Sequence, residues 1–120
     1  GKYRPRDENG FNKELFNWYQ KLISIRKKYP VLETGSIQTL LAPEDRDVYV
    51  FARYQKGKEP VVVMINREES EQKLDFTIDL PQKFSRKARY LISGEEVRLD
   101  RKRNVSITMP PVSGEVLAGN

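Results

Sequence analysis

The sequence predicts an all-β fold, an antiparallel Greek-key β-sandwich of about eight strands preceded by one N-terminal α-helix. Three observations carry this expectation. Apolar residues recur at about 3.6-residue spacing only before Pro30, and alternate residue by residue from Gly35 onward. The stretches separating the alternating runs (PEDRD, QKGKEP, REESEQ, LPQKFS, SGE and MPPVS) have turn compositions at the spacing of a sandwich. No segment repeats another at a fixed period, as a solenoid or propeller requires.

Residues 1–10, GKYRPRDENG, are polar and aperiodic and read as a tail or a connection. Residues 11–30 form the helix. Asn12 is its candidate N-cap, with Phe11 and Phe16 as a hydrophobic staple, and the helix runs from about Lys13 to Lys28. Pro30 ends it, because proline disfavours the helical conformation in the residue before it and donates no backbone hydrogen bond. Phe11, Leu15, Phe16, Trp18, Tyr19, Leu22, Ile23, Ile25 and Tyr29 fill about half the helix circumference, whereas a helix on one sheet needs a stripe of roughly 100°. So wide an arc implies two packing partners, only one of which the chain supplies. Arg26 falls inside that arc and is expected to form a structural ion pair.

Residues 31–120 form the sandwich. Ser36 to Ala42, Asp47 to Tyr54, Val61 to Asn66, Leu74 to Leu80, Ala88 to Ile92, Glu96 to Leu99, Val105 to Met109 and Gly114 to Ala118 read as strands. VVVMI is apolar at every position and is expected to be central, with both faces covered. LDFTIDL alternates and is expected to be peripheral, with one wet face.

A chain of 120 residues fits one domain, and its 38% hydrophobic and 32% charged content is ordinary for a globular protein. No apolar run approaches the roughly 18 residues of a membrane span. The absence of cysteine excludes disulfides, thiolate metal sites and cysteine nucleophiles; the absence of histidine removes the usual neutral-pH base and the commonest metal ligand. The net charge of +5 does not indicate nucleic acid. Arg26, Lys27 and Lys28 suit a helix C-terminus, the clusters at Arg86, Lys87 and Arg89 and at Arg98 and Arg101 to Arg103 adjoin turns, and no aromatics interleave with them.

Three carboxylate pairs could suggest acid–base chemistry: Asp45 with Asp47, Glu68 with Glu69, and Glu95 with Glu96. All lie at or beside predicted turns, where hydrated surface charge is the expectation, and hydrolysis of a glycosidic bond needs two carboxyls facing each other across a cleft. Trp18 and the tyrosines at 19, 49, 54 and 90 suit sugar stacking by chemistry, but their positions in the apolar arc and in the strands point to packing. No phosphate loop, EF-hand loop or HExxH motif occurs. No residue is assigned a catalytic, cofactor-binding or metal-ligating role.

The succession ELFNWYQKLISIRKKYPVLETGSIQTLLA, DVYVFARYQ, VVVMIN, ARYLISGEEV and MPPVSGEVLAG resembles the C-terminal end of alpha-amylase-superfamily glycoside hydrolases, most closely the neopullulanase, cyclomaltodextrinase and maltogenic amylase group. The resemblance implies that residues 11–30 are the last helix of a (β/α)₈ catalytic barrel and that residues from about 31 onward are the sandwich called domain C. It places the catalytic aspartates and glutamate on barrel strands upstream, so none maps onto this chain. The implied role is non-catalytic: to stabilise and cover the barrel of an enzyme that cleaves α-glucans with retention. The implied partner is that barrel, with weak or no carbohydrate binding and, in its absence, self-association through a helix exposing some of Phe16, Trp18, Leu22 and Ile25. Two other readings stand beside it. An independent carbohydrate-binding module requires a row of exposed aromatics on one sheet face. An unrelated protein-interaction sandwich requires the helix to belong wholly to this domain.

Overall fold

In a computed structural model the described residues are 13–119, with side chains described from Phe16 onward. The expected tail, the Asn12 cap and the Phe11 half of the staple lie outside them. Helix α1 spans Lys13–Lys28 and a single helical turn, α2, spans Val31–Thr34. Eight strands follow: β1 Ser36–Leu41, β2 Val48–Gln55, β3 Lys58–Asn66, β4 Gln72–Thr77, β5 Lys87–Tyr90, β6 Glu96–Arg98, β7 Asn104–Met109 and β8 Ser113–Gly119. They form a six-stranded sheet in the order β1-β2-β3-β8-β5-β6 and a two-stranded sheet of β4 and β7, with every pairing antiparallel.

The strands meet expectation apart from small differences at their ends. The expected QKGKEP loop contracts to a two-residue turn, because Gln55 pairs with Lys58 and Gly57 takes a φ of 82° that a side chain would resist. The turn α2 was not expected. Pro30 ends α1 yet adopts helical angles, and a proline at a helix start loses no hydrogen bond, so a new turn begins at once and buries Val31 and Leu32.

Strand β3 is central, as its composition predicts. Val62 and Met64 face a core shared with Leu74, Phe76, Val105 and Met109 of the small sheet. Val61 and Val63 face a second core with Trp18, Val31, Leu32 and Val116. The molecule is thus three-layered, helices over the six-stranded sheet over the two-stranded sheet. Strand β4 alternates buried and exposed residues, as a peripheral strand should.

Candidate functional site

The face carrying the helices is where the apolar surface is left open. On α1, Trp18 is buried and Leu22 and Ile25 pack partly against the outer core, as does Tyr29 just past the helix end. Phe16, Tyr19 and Ile23 point elsewhere and are 60%, 51% and 53% exposed. At 100° per residue these two groups centre about 120° apart, so the wide arc is two stripes, one seated and one free. The expected division of the arc is therefore present, with a correction to its membership: Trp18, Leu22 and Ile25 lie on the sandwich side, and the free side is Phe16, Tyr19 and Ile23.

Trp18 sits where it does because position 114 is glycine. A methyl group there would lie 1.8 Å from the indole Cε2 and Nε1, so only a bare backbone lets the ring lie on β8. Tyr19 meets Trp18 edge-on at a ring distance of 5.0 Å.

The same side of the six-stranded sheet carries the other exposed apolar groups. Ile37 pairs with Arg53 and Thr39 with Phe51, and Phe51 packs on the outer core, so all four share that face. The Thr39 and Tyr49 hydroxyls are 3.3 Å apart and the Tyr49 and Phe51 rings 5.2 Å apart, which places Tyr49 there too. Among the described residues, the large hydrophobics that are exposed are Phe16, Tyr19, Ile23, Ile37 and Tyr49, and every one lies on this face. Tyr19 and Tyr49 thus depart from the expectation that the aromatics alternate into cores, while Trp18 and Tyr90 meet it and Tyr54 is half-buried.

Arg53 fixes α2 against this sheet. Its guanidinium donates to the carbonyls of Leu32 at 2.7 Å, Gly35 at 2.7 and 3.2 Å and Glu33 at 3.3 Å. These carbonyls end α2, where backbone acceptors lack helical partners and the dipole favours a cation. Arg26, whose partner the sequence does not reveal, faces Glu33 across 4.0 Å with both side chains about half exposed.

Asp47 lies 3.8 Å from Arg67, and its amide donates to Glu68 at 2.6 Å, so members of two different carboxylate pairs meet, on the surface. Glu96 pairs with Arg89 across the β5–β6 ladder, and Glu95 turns toward a cavity. Among the described residues the buried carboxylate is Glu115, which no sequence pattern marks. It accepts backbone N–H bonds from Ile92 and Val116, both at 2.9 Å, and from Ser93 at 3.2 Å. Among the described residues no cluster of metal-ligating side chains forms.

Residues 41–111 match the family model described as the cyclo-malto-dextrinase C-terminal domain. Over 65 residues the chain is 43% identical to the cyclomaltodextrinase of Thermoanaerobacter pseudethanolicus, covering 54% of this chain and 11% of that protein. Over 111 residues it is 26% identical to neopullulanase 2 of Thermoactinomyces vulgaris, covering 92% and 18%. The crystal structure of the debranching enzyme from Nostoc punctiforme superposes with a TM-score of 0.63 at 29% identity, covering 97% of this chain and 24% of that one. The chain therefore spans only a small part, 11% to 18%, of the curated relatives it matches.

Proposed function

The chain belongs to the cyclo-malto-dextrinase C-terminal domain family, and from that premise we propose that it is the non-catalytic C-terminal portion of a glycoside hydrolase acting on α-glucans such as maltodextrins, pullulan or cyclodextrins. In this reading α1 is the last helix of a (β/α)₈ catalytic barrel, the domain boundary falls near Val31, and the helix-bearing face docks on the remainder of the barrel. The two catalytic carboxylates of a retaining mechanism lie in that barrel. The sandwich stabilises the barrel and covers its apolar flank.

One observation carries the proposal: the exposed large hydrophobics of the described residues are confined to a single face. A monomer rarely gathers its exposed apolar groups in this way without a partner for them. Cysteine-specific labelling tests it, since the chain has no cysteine of its own. At a dilution where the 120-residue chain is monomeric, Ile23→Cys should label readily in it and be protected in the complete enzyme, while Ser106→Cys should label in both. Equal labelling at position 23 in the two contexts overturns the docking.

Maltooligosaccharide affinity of the isolated chain is weak or absent in this reading. Titration with maltoheptaose giving a dissociation constant near or below about 10 μM favours instead an independent carbohydrate-binding module using Phe16, Tyr19 and Tyr49.

A further inference from the structure

The two sheets are unequal, and the small one does not roof the inner side of the large one completely. A cavity of about 560 Å³ opens between β8, the segment joining β5 to β6, and one side of β7. This volume lies within the range of about 300–1,000 Å³ usual for ligand sites. Among the described residues strand β7 is hydrogen-bonded to β4 alone, and Ser106 to Pro110 run consecutively along the cavity. A strand edge of that kind presents alternate N–H and C=O groups ready to pair with another extended chain.

The chemistry of the wall is selective. Ile92, Val97, Ile107 and Met109 supply apolar surface. Among the described residues, the charged ones lining the cavity are Glu95 and Glu115, and no lysine or arginine lines it. Glu115 is 8% exposed and already accepts three backbone N–H bonds, whereas a carboxylate offers about four acceptor sites, so one remains. The Tyr90 phenol also lines the cavity; burial raises its pKa, and the charges of Glu115 and Glu95 raise it further, the mark of a negative potential.

We propose that this cavity receives an extended basic peptide segment, which adds to the free edge of β7 as a third strand and directs a lysine or arginine side chain toward Glu95 and Glu115. Backbone pairing supplies affinity that does not depend on sequence, and the side chains of alternate residues, projecting to one side, supply selectivity for a cation. A segment without positive charge leaves the carboxylates uncompensated, and a small amine leaves the strand edge unpaired. The site is on the opposite side of the six-stranded sheet from the exposed hydrophobics and stands independently of the docking described above.

The test is a titration of the isotopically labelled 120-residue chain, followed by backbone amide resonances. The probes are a capped hexapeptide of alternating lysine and threonine, a counterpart with serine replacing lysine, and lysine amide alone. The expected result is saturable binding of the basic peptide with a dissociation constant below about 1 mM. Shifts should concentrate at Ser93 and at Ser106, Ile107 and Thr108, with slowed exchange of alternate β7 amides. Glu95→Gln, at an exposed position outside the core, should weaken binding about fivefold without disturbing the remaining resonances. Equal affinity for the neutral peptide, equal affinity and the same shifts with lysine amide, shifts centred elsewhere, or no saturation each overturns the proposal.

Discussion

Arg53 Nη1 donates to the carbonyl of Leu32 at 2.7 Å, so a cation in the second strand holds the end of the helical turn that links α1 to the sandwich. The same guanidinium reaches Glu33 and Gly35, where lysine, a point charge on a flexible stem, could not satisfy three carbonyls in one fork. Arg53→Met should therefore destabilise the chain by about 2–3 kcal/mol, and Arg53→Lys should recover only part of that. Urea denaturation measures both. A loss below about 0.5 kcal/mol for the methionine variant would mean that α2 is held by Val31 and Leu32 alone.

Gly114→Ala places a methyl group where the Trp18 indole now lies. Overpacking of this kind costs about 1–3 kcal/mol, and here relief requires lifting α1 off β8. The emission of Trp18, the only tryptophan, should shift to the red as its ring meets water. An unchanged spectrum would show that the helix accommodates the methyl without leaving its seat.

The free stripe of α1 should drive self-association of the isolated chain. Phe16, Tyr19 and Ile23 are each more than half exposed, and burying such a side chain gains roughly 1.5–3 kcal/mol. Light scattering at rising concentration should show dimers or larger species, and the combined replacement of all three by serine should give a monomer. A monomeric parent at millimolar concentration would remove the case for a missing apolar partner.

Tyr90 should give the chain an alkaline limit. Burial, followed by the charges of Glu115 and Glu95, raises its pKa above 10.0, so the native state holds the phenolic proton more tightly than the unfolded chain does. Its contribution is complete below 10.0 and is lost as pH rises through the raised native value. Denaturation midpoints should fall over that window in the parent chain and less steeply in Tyr90→Phe. Parallel slopes in the two proteins would place the alkaline sensitivity elsewhere.

Much of this was legible in the sequence, and the reason differs by element. VVVMI reads as a doubly covered strand because burial on both faces erases alternation, and Leu74 and Phe76 read as one-faced because exposure on the other face restores it. The helix announced two stripes through the width of its apolar arc, but which stripe would meet the sandwich depended on Gly114, about a hundred residues downstream. The turn α2 was hidden because a proline reads as a stop even where it starts something new. Asn66, Arg53 and Glu115 were missed for a common reason: their partners are backbone groups, which every sequence possesses and which therefore leave no trace in its pattern. Asn66 shows this plainly, its buried amide donating to Ser70, Met109 and Pro110 while its oxygen accepts from Glu68.

The contact between Trp18 and Gly114 also dictates an order of events during synthesis. The helix is made before the strand it rests on, which is the last described element, and about a hundred further residues must be polymerised before that strand exists. At roughly 5–20 residues per second the ribosome needs on the order of ten seconds for them. Through that interval the indole lacks the strand it finally rests on, so whatever else the nascent chain has already folded is what it meets first.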